Sequence, residues 1–403
     1  MFCLGQNTFM PSRAAEDPAT PRLEEFRQPP RTRSAPKSRA AVDGLRKLAV
    51  QLGAGGQLPT VAQLRREFSV STSTLDGALG ELENEGVLRC VRGSGVYVAD
   101  GFKRAVVLIC APDFLAAGHS PFWDLLAEAA KSRARATGQD WGFHFAQPHA
   151  DSGRGLHPGL LEDLERGRIQ GVLAVGLSPE VPNWLAEQGV ACVVFAGAGR
   201  YSVGLNYEAI LSAGMETLAV RGCQRIAVWQ PRGLHQTEAD ARVATAANAA
   251  ACGAVLAAHG IPHHAEDWNL AGVTSSSEAA QLGGAPLSHR EQGRILAERF
   301  FPAGSSEEAR PDGLLLADDM MAWGALEVLL AHGLIPGRDI QVASHANRGS
   351  PVLAGFADRV IRVEVDPAAI VEAVFHLLED LMAGREPAES VTRVGPAAVL
   401  APQ

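Results

Sequence analysis

The chain has 403 residues, which excludes a single small module and suggests two or three domains at a usual domain size of about 150 residues. Its 46% hydrophobic and 20% charged residues are typical of a globular protein and exclude wholesale disorder. Residues 1–100 contain 13 basic and 11 acidic residues, whereas residues 101–403 contain 23 and 34, so only the front of the chain is expected to approach a polyanion.

The apolar runs and the cysteines exclude further classes of protein. The longest apolar runs, such as residues 105–111 and 190–198, are much shorter than the ~20 residues of a membrane helix. Charged residues interrupt the start of the chain, where a signal peptide would be apolar, so we expect a cytoplasmic protein with no membrane partner. The six cysteines are far apart and form no CxxC pair, which predicts reduced thiols rather than disulfides or a zinc site.

No sequence motif indicates catalysis or cofactor binding. GxSxG, HExxH, phosphate-loop and dinucleotide-binding patterns are all absent. The histidine pair His263-His264 has no matching carboxylate or cysteine pattern nearby. We therefore predict no catalytic residue, no metal site and no cofactor, and we do not expect an enzyme.

The front of the chain divides into an arm and a small folded domain. Residues 1–38 are rich in Pro, Arg, Ser and Thr without apolar periodicity, which predicts a disordered arm. Apolar residues then recur at helical spacing from Val42 and stop before the glycine-rich residues 53–56. This pattern predicts the first helix of a domain that covers residues 39–101.

Two more helices and a hairpin complete this domain. A second helix is predicted from Thr60, because Thr60 and Gln63 fit a capping box. A third helix is predicted to begin at Ser71 and to end at Gly86. Two short strands are predicted at residues 87–91 and 96–99, joined by Arg92-Gly93-Ser94-Gly95. Three helices followed by a hairpin predict an α+β winged helix-turn-helix.

The turn, the helix caps and the wing of this domain occur in a characteristic order. The order is Leu58-Pro59-Thr60, then Val70-Ser71-x-x-Thr74-Leu75, then Ala78-Leu79-x-x-Leu82-Glu83-x-Glu85-Gly86, and last Arg92-Gly93-Ser94-Gly95-Val96-Tyr97-Val98. In this order and spacing they resemble the DNA-binding domain of GntR-type bacterial transcription regulators. The resemblance implies a double-stranded DNA operator as partner, with the third helix in its major groove.

The candidate DNA-binding residues belong to the third helix and the wing. Hydroxyl groups can bond phosphates or base edges, and Asp76 can accept from a cytosine amino group, although the Ser and Thr residues could instead only cap the helix. Arg89 and Arg92 beside the glycine turn can reach phosphates or the minor groove, or can simply be solvated. The predicted set is Thr60, Ser71, Thr72, Ser73, Thr74, Asp76, Arg89, Arg92, Gly93, Ser94 and Gly95.

Residues 102–403 alternate strands and helices. Strands are predicted at residues 105–111, 141–146, 171–175, 190–196, 225–230, 313–317 and 340–343. Helices are predicted at residues 156–167, 181–189, 207–220, 290–301 and 320–333, with others ending near Gly138 and Gly260. Alternation over about 240 residues predicts an α/β fold with two lobes of right-handed parallel sheet and a binding cleft between them.

Several motifs of this body also occur in a characteristic order. The order is Ser120-Pro121-Phe122, Leu205-Asn206-Tyr207-Glu208, Gly222-Cys223-Gln224-Arg225-Ile226-Ala227-Val228, and Pro311-Asp312-Gly313-Leu314 through Ala317-Asp318-Asp319-Met320-Met321-Ala322. They resemble the effector-binding domain of LacI/GalR-type repressors, which is similar to periplasmic sugar-binding proteins. The resemblance implies a type I periplasmic-binding-protein-like effector and dimerisation domain, a homodimer, and a small-molecule effector such as a sugar.

Four candidate effector-binding residues follow from this resemblance or from their chemistry. Asp318 stands at a strand-to-helix junction where the family often places a polar ligand contact. Phe122 and Trp123 could present an aromatic face to the effector, or could pack in a core instead. Trp268 could occupy an aromatic position in the cleft.

Two departures from the family's pattern give three more candidates. After the strand at residues 340–343, many relatives carry an acidic sugar contact, whereas this chain has a predicted turn with His345 and Asn347. Asn248 stands where many relatives carry an arginine. These side chains could replace the usual hydrogen-bonding groups, or the effector could differ chemically from a sugar.

Both resemblances together predict a ligand-responsive, sequence-specific transcription regulator. We expect a repressor that acts as a homodimer, with a small polar effector, such as a carbohydrate, between the lobes. One alternative is a solute-binding protein of periplasmic type, which the front domain and the lack of a signal peptide disfavour. The other is an enzyme fused to a DNA-binding domain, for which no catalytic motif is present.

Overall fold

The computed structural model describes residues 36–102, 105–111, 120–146, 155–232, 238–263, 267–269, 287–304, 306 and 310–402. The predicted arm lies outside these ranges except for residues 36–38, which were assigned to the arm but begin the first helix. The described chain forms a winged-helix domain followed by two α/β lobes.

The winged-helix domain contains the predicted three helices and hairpin. They are α1 (Pro36–Leu52), α2 (Val61–Glu67), α3 (Thr72–Asn84), β1 (Leu88–Val91) and β2 (Gly95–Val98). Thr60 and Gln63 form the expected capping box at the start of α2. Ser71 caps α3, and Gly86 follows it with a φ of 72°, a conformation that favours glycine. Leucines from all three helices are buried in one core.

The body carries strands and helices in alternation, as the sequence predicts. The strands are β3 (Ala105–Cys110), β4 (Asp140–Phe145), β5 (Gly171–Val175), β6 (Ala191–Phe195), β7 (Ser202–Leu205), β8 (Ile226–Trp229), β9 (Trp268–Asn269), β10 (Gly313–Leu316), β11 (Gln341–Asn347), β12 (Val360–Val365), β13 (Val391–Val394) and β14 (Ala398–Leu400). The helices are α4 (Phe122–Ala136), α5 (Pro158–Glu165), α6 (Glu180–Glu187), α7 (Tyr207–Val220), α8 (Glu238–Ala258), α9 (His289–Phe300), α10 (Asp319–Ala331) and α11 (Pro367–Met382).

These strands form two sheets, one in each lobe. Among the described residues, the first lobe has the strand order β13-β7-β6-β5-β3-β4, and the second has β14-β12-β11-β10-β8-β9. The strand pairs are parallel except for β12 and β14. In the second lobe, α7 and α8 pack on one face of the sheet, while α9 and α10 pack on the other. The predicted fold class is therefore confirmed.

The described chain crosses between the lobes after β7, β12 and β13. The backbone N–H of Asn206 donates to the Val394 carbonyl oxygen at 2.8 Å, which ties two of these crossings together. Because β7 and β12 both end at a crossing and the sheets are parallel, the carboxyl ends of the strands of both lobes face a common cleft. A Cβ built on Gly349 would lie 3.6 Å from Leu125 Cδ2 of α4, so the walls of the cleft approach closely.

Two glycines allow α9 and α10 to pack backbone against backbone. A Cβ built on Gly293 would lie 2.0 Å from the Met321 carbonyl oxygen, and one built on Gly324 would lie 2.0 Å from the Arg290 carbonyl oxygen. Since both helices begin at the cleft, this close packing fixes the distance between the side chains at their amino ends.

Candidate functional site

The predicted DNA-binding residues of α3 lie in its first two turns. Thr72, Ser73 and Asp76 are exposed. Ser71 Oγ accepts from the backbone N–H of Thr74 at 3.2 Å and lies 2.8 Å from Thr74 Oγ1, so these two hydroxyls hold the helix cap. Ser73 Oγ also lies 3.1 Å from Ser71 Oγ, so the exposed side chains of Thr72 and Asp76 are the ones outside this cap cluster, and contact of any of these residues with DNA stays a prediction.

The wing turn is braced by two side chains that the sequence did not single out. Gly93 and Gly95 adopt φ values of 78° and 138°, which are strained for other residues. Gln57 Nε2 donates to the Ser94 carbonyl oxygen at 3.3 Å, and Ser94 Oγ lies 2.7 Å from Tyr97 Oη. These contacts hold the turn in one shape, which a surface that docks against DNA needs.

The arginines of this domain differ in their surroundings. Arg89 lies 3.6 Å from the Asp100 carboxylate, and its guanidinium lies 5.6 Å from the centroid of the Tyr97 ring. Arg92 is exposed where the wing turn begins. Exposed Arg65 and Arg66, in the last turn of α2, add positive charge that the sequence analysis did not assign to the site.

In the body, Asp318 lies at the carboxyl end of β10 and caps α10. Its Oδ1 accepts from the Met321 backbone N–H at 2.9 Å, and its Oδ2 lies 3.1 Å from His289 Nδ1 at the start of α9. Burial, the largest single effect, would lower the pKa of His289, but the charge and the hydrogen bond of Asp318 and the charge of Asp319 together raise that pKa. Burial, the largest single effect, would raise the pKa of Asp318, but His289, the Met321 backbone N–H and His345 together lower that pKa. The two groups stabilise each other's charged forms, and the sequence analysis missed His289.

His345 is buried near Asp318 with both ring nitrogens unpartnered. Its residue is 4% exposed, and neither Nδ1 nor Nε2 has a hydrogen-bond partner within the described part of the chain. Burial lowers its pKa to about 4 against the opposing effect of Asp318, so the imidazole is neutral near pH 7. The Tyr207 ring lies 6.4 Å away between centroids. A neutral imidazole offers a ligand one donor and one acceptor.

The turn predicted around His345 is wrong. Residues 344–347 continue β11, and each is paired with β12, from Ser344 opposite Arg362 to Asn347 opposite Val365. Polar residues after an apolar run suggested a turn, but the neighbouring strand continues the ladder and buries these side chains. His345 and Asn347 are therefore held on a rigid strand at the cleft.

Asp319, which the sequence analysis did not select, is buried between Asp318 and the end of β11. Its Oδ2 accepts from Asn347 Nδ2 at 3.1 Å and from Ser350 Oγ at 3.3 Å. Its Oδ1 and the Asn347 Oδ1 have no hydrogen-bond partner among the described residues. Burial and the charge of Asp318 raise the pKa of Asp319 to about 7. Asp319 and Asn347 also line a small hollow with Arg362 and Glu364.

The remaining polar and edge candidates lie farther along the second sheet. Asn248 is buried in α8, and its Nδ2 donates to the Oε1 of Gln230, just beyond the carboxyl end of β8, at 2.6 Å. Trp268 lies on the edge strand β9, where its indole N–H donates to the Ile226 carbonyl oxygen at 3.1 Å and its ring lies 4.1 Å from His263. Ile226 begins β8, so the indole N–H is bonded away from the cleft.

The aromatic candidates pack in the first lobe. Phe122 is buried, with its ring 4.9 Å from that of Trp123 and 5.7 Å from that of Phe195. Trp123 is partly buried beside them. The structure thus brings Asp318, His345 and Asn347 together, and places the aromatic pair on the other lobe. Contact of any of these residues with an effector stays a prediction.

Two kinds of site are not found in the described ranges. No group of three or more His, Cys, Asp and Glu side chains there is placed to hold a metal ion. Among the helices that the structure describes, none combines the length and the apolar character needed to span a bilayer.

Two family models match separate parts of the chain. Residues 40–98 match the model of bacterial regulatory proteins, gntR family, and residues 215–400 match the periplasmic binding protein-like domain. No curated protein sequence matches the chain significantly. The recognition of both domains from sequence motifs is confirmed.

Solved structures of transcription regulators share the fold of the body. Transcription regulator CcpA of Lactococcus lactis is 15% identical with a TM-score of 0.54, and the match covers 75% of this chain and 100% of that one. A transcriptional regulator CelR–cellobiose complex is 19% identical with a TM-score of 0.52, covering 82% and 90%. The lac repressor dimer bound to operator and the anti-inducer ONPF is 15% identical with a TM-score of 0.52, covering 74% and 93%. At these identities the similarity shows the fold alone.

Proposed function

Because the chain joins a DNA-binding domain of the gntR family to a periplasmic binding protein-like domain, and so has the architecture of a transcription regulator, we propose that it is a ligand-responsive repressor. It binds a specific DNA operator as a homodimer. A small polar effector, such as a carbohydrate, binds between the lobes and changes the affinity for the operator. The protein acts in the cytoplasm, where the operator DNA is.

One observation carries this proposal: a chain with a DNA-binding module at its front also has a cleft wall of buried polar side chains without partners. His345 is the clearest of these side chains, because both of its ring nitrogens lack a partner among the described residues. Unpaired buried polar atoms cost free energy, which a bound polar molecule can recover. The similar structures with cellobiose and with operator DNA support the two halves of the proposal.

The crossings between the lobes provide a way to couple the two sites. An effector that binds both walls of the cleft favours a closed arrangement of the lobes, and the free-energy difference between open and closed forms sets the response. In a homodimer, closure changes the spacing of two winged helices on an inverted-repeat operator.

The direct test is to select operator sequences from random double-stranded DNA with the purified chain, and then to titrate candidate effectors into the complex by fluorescence anisotropy. We expect a specific sequence whose affinity changes when one small polar molecule is added. Solute binding without any DNA preference would favour a solute-binding protein, and formation of a product would favour an enzyme fused to a DNA-binding domain.

We expect the wing to contribute positive charge to DNA binding and α3 to determine which DNA sequence is preferred. Arg92→Ala should weaken binding to all DNA sequences and reduce the salt slope by about one unit, because a phosphate contact releases counterions. Thr72→Val should change the preferred sequence and leave the salt slope unchanged. Binding measured over a range of salt concentrations gives the affinity and the salt slope of each variant. Arg135→Ala, which removes an exposed arginine of α4, is the matched control. An Arg92→Ala protein with wild-type affinity and slope would remove the wing from the site.

A second copy of the chain is proposed to cover the edge of the first-lobe sheet. Among the described strands of that sheet, β4 lies at the edge, and its Phe143 and Phe145 are 38% and 44% exposed with ring centroids 5.0 Å apart. An unpaired strand edge with neighbouring exposed aromatic rings is a surface that proteins usually cover.

Replacing both rings should therefore weaken the homodimer. The double substitution Phe143→Ser and Phe145→Ser is expected to raise the dimer dissociation constant by about tenfold or more, because aromatic side chains dominate interface energies. Sedimentation velocity over a concentration series measures the change, with Val220→Ser, at a 71% exposed residue, as control. A double variant that dimerises like the wild type would place the interface elsewhere.

Asp318→Asn tests the effector half of the proposal while keeping the helix cap, since Asn caps helices as well as Asp. We expect it to reduce the free energy of binding of the effector by about 1–3 kcal/mol, because a ligand donor loses its charged acceptor. Operator affinity without effector should be unchanged. The test is calorimetry with the effector that the titration identifies, together with a measurement of operator binding. Unchanged effector affinity would remove Asp318 from the pocket.

A further inference from the structure

The charges in the cleft are mainly negative. Asp318 and Asp319 are consecutive at the start of α10, and His289 is the cation-forming group paired with them. No lysine or arginine is among the charges that act on Tyr207, His289 or His345. The amino end of α10 is also already occupied, because Asp318 accepts from the Met321 backbone N–H.

The arginines near the lobe crossings are already paired with carboxylates. Arg348, after β11, lies 2.6 Å from Asp366, Arg362 on β12 lies 3.4 Å from Glu364, and Arg393 on β13 lies 3.6 Å from Glu208. Arg232, shortly after β8, is one more arginine at the carboxyl ends of the strands, and its backbone N–H donates to Gln292 Oε1 at 2.9 Å. An anionic ligand beside Asp318 and Asp319 would still meet two carboxyl groups, and the described charges that act on them include no lysine or arginine.

The unpartnered atoms around Asp319 include several acceptors and one guanidinium donor, the Nε of Arg362, whose Nη1 lies 3.4 Å from Glu364. Asp319 Oδ1 and Asn347 Oδ1 lack partners among the described residues, although both side chains are at least nine-tenths buried. The neutral imidazole of His345 adds a further acceptor nitrogen. A ligand that fills this site must supply hydrogen-bond donors, and two adjacent carboxyl groups favour donors that carry positive charge.

Resting on the proposed function, we propose that the effector carries a protonated amino group, which donates to the carboxylates of Asp319 and Asp318. The chemical class is a small amino compound, such as an amino sugar or a diamine, rather than a neutral or phosphorylated sugar. The ammonium group provides three donors and one positive charge. One of these donors can provide the hydrogen bond that Asp319 Oδ1 lacks, and the positive charge offsets the negative charge of the second carboxylate.

This ligand class predicts a dependence on pH. Asp319 has a pKa raised to about 7, so it is partly protonated near neutrality, and a bound cation favours its ionised form. Binding then releases a proton from Asp319, and affinity rises as pH rises from about 6 to about 7, where the ligand amine is still protonated. The groups that face Asp319 are Asp318, which caps the same helix, and His289 on α9. On the other side are Asn347 at the end of β11, Ser350 after it, and the Arg362–Glu364 pair on β12.

The test uses the full chain and matched ligand pairs: glucosamine and glucose, galactosamine and galactose, putrescine and butanediol, with glucose phosphate as the anionic member. Isothermal titration calorimetry should show that at least one amino member binds about tenfold or more tightly than its neutral partner. Its affinity should rise between about pH 6 and about pH 7, where the ligand amine stays protonated, with proton release measured in buffers of different ionisation enthalpy. The inference is overturned when no amino member is preferred in any pair, whether a neutral sugar binds or none does.

Asp319→Asn removes the charge and keeps the side-chain shape. It should lose the preference for the amino member and the pH dependence, whereas Glu327→Gln, on the same helix and paired with Arg290, should retain both. Operator binding distinguishes the two proposals. If a neutral sugar releases operator DNA equally from wild type and from Asp319→Asn, the inference of an amino ligand is wrong and the repressor proposal stands. If an amine binds but the protein binds no operator, the repressor proposal is wrong and the amino ligand stands.

Discussion

Gly324→Ala is expected to lower the free energy of unfolding of the second lobe by about 3 kcal/mol, the upper range for overpacking a tight contact. A Cβ at this position would lie 2.0 Å from the Arg290 carbonyl oxygen, which is backbone and cannot swing aside. Helices α9 and α10 would have to separate. Because α9 carries His289 and α10 follows Asp318, separation should also lengthen the contact between these two side chains.

A glycine in open space gives the matched control. Gly253 lies in α8 of the same lobe, and a Cβ there would have no heavy atom of the described residues within 4 Å apart from its chain neighbours and the backbone of its own helix. Gly253→Ala should therefore raise stability by about 0.5–1 kcal/mol through helix propensity. Urea unfolding followed by tryptophan fluorescence measures both variants, since Trp229 is fully buried in this lobe. A Gly324→Ala protein as stable as the wild type would show that the helices can shift without cost.

The alternation of strands and helices could be predicted because buried parallel strands are short, nearly continuous apolar runs. β5 has the predicted bounds, and its five residues are all buried. The prediction stops at residue 343, before β12, whose Arg362 and Glu364 alternate with apolar residues because one face borders the cleft hollow. β13 and β14 are short and half exposed, and they form only because the chain crosses back between lobes. Such strands depend on tertiary contacts more than on local pattern.

The candidate effector site could be predicted only in part. A carboxylate after a strand and before a helix was sufficient to select Asp318. His289 lies 29 residues earlier in the chain, and only the packing of α9 on α10 brings it within 3.1 Å of Asp318. Asp319 follows Asp318 directly, but whether it points to solvent or to Asn347 depends on the turn of the helix and on β11. For Trp268 the sequence suggested an aromatic residue in the cleft, but in the structure its indole N–H donates to the Ile226 carbonyl oxygen at the edge of the sheet.

The buried carboxyl of Asp319 should make stability depend on pH. Its pKa in the folded protein is raised to about 7 from an ordinary value of 3.8, first by burial and then by Asp318. Between these two values the folded state binds more protons than the unfolded state, so this group contributes stability at low pH that is lost as pH rises to about 7. Above pH 7 the folded protein carries the full cost of a buried second charge.

His345 acts in the opposite direction over nearly the same range. Burial lowers its pKa in the folded protein from 6.5 to about 4. Between those values the unfolded state binds more protons, so the contribution of His345 to stability is lost as pH falls from 6.5 towards 4. In the wild type the two slopes partly cancel, and a single variant is needed to separate them.

Asp319→Asn is therefore expected to raise the free energy of unfolding at pH 8 by about 2–3 kcal/mol relative to wild type, and the gain should vanish below about pH 4, where the native carboxyl is protonated in both states. The variant's stability should then fall more steeply than that of wild type as pH drops from 6.5 to 4, because Asp319 no longer opposes His345. Adding His345→Phe should reduce that fall. Asp358→Asn, at a largely exposed residue paired with Arg359, serves as control. Urea midpoints at several pH values measure the difference. Equal midpoints for Asp319→Asn and wild type at pH 8 would mean that the ionised carboxylate is solvated in the free protein, which removes the basis for its stability cost.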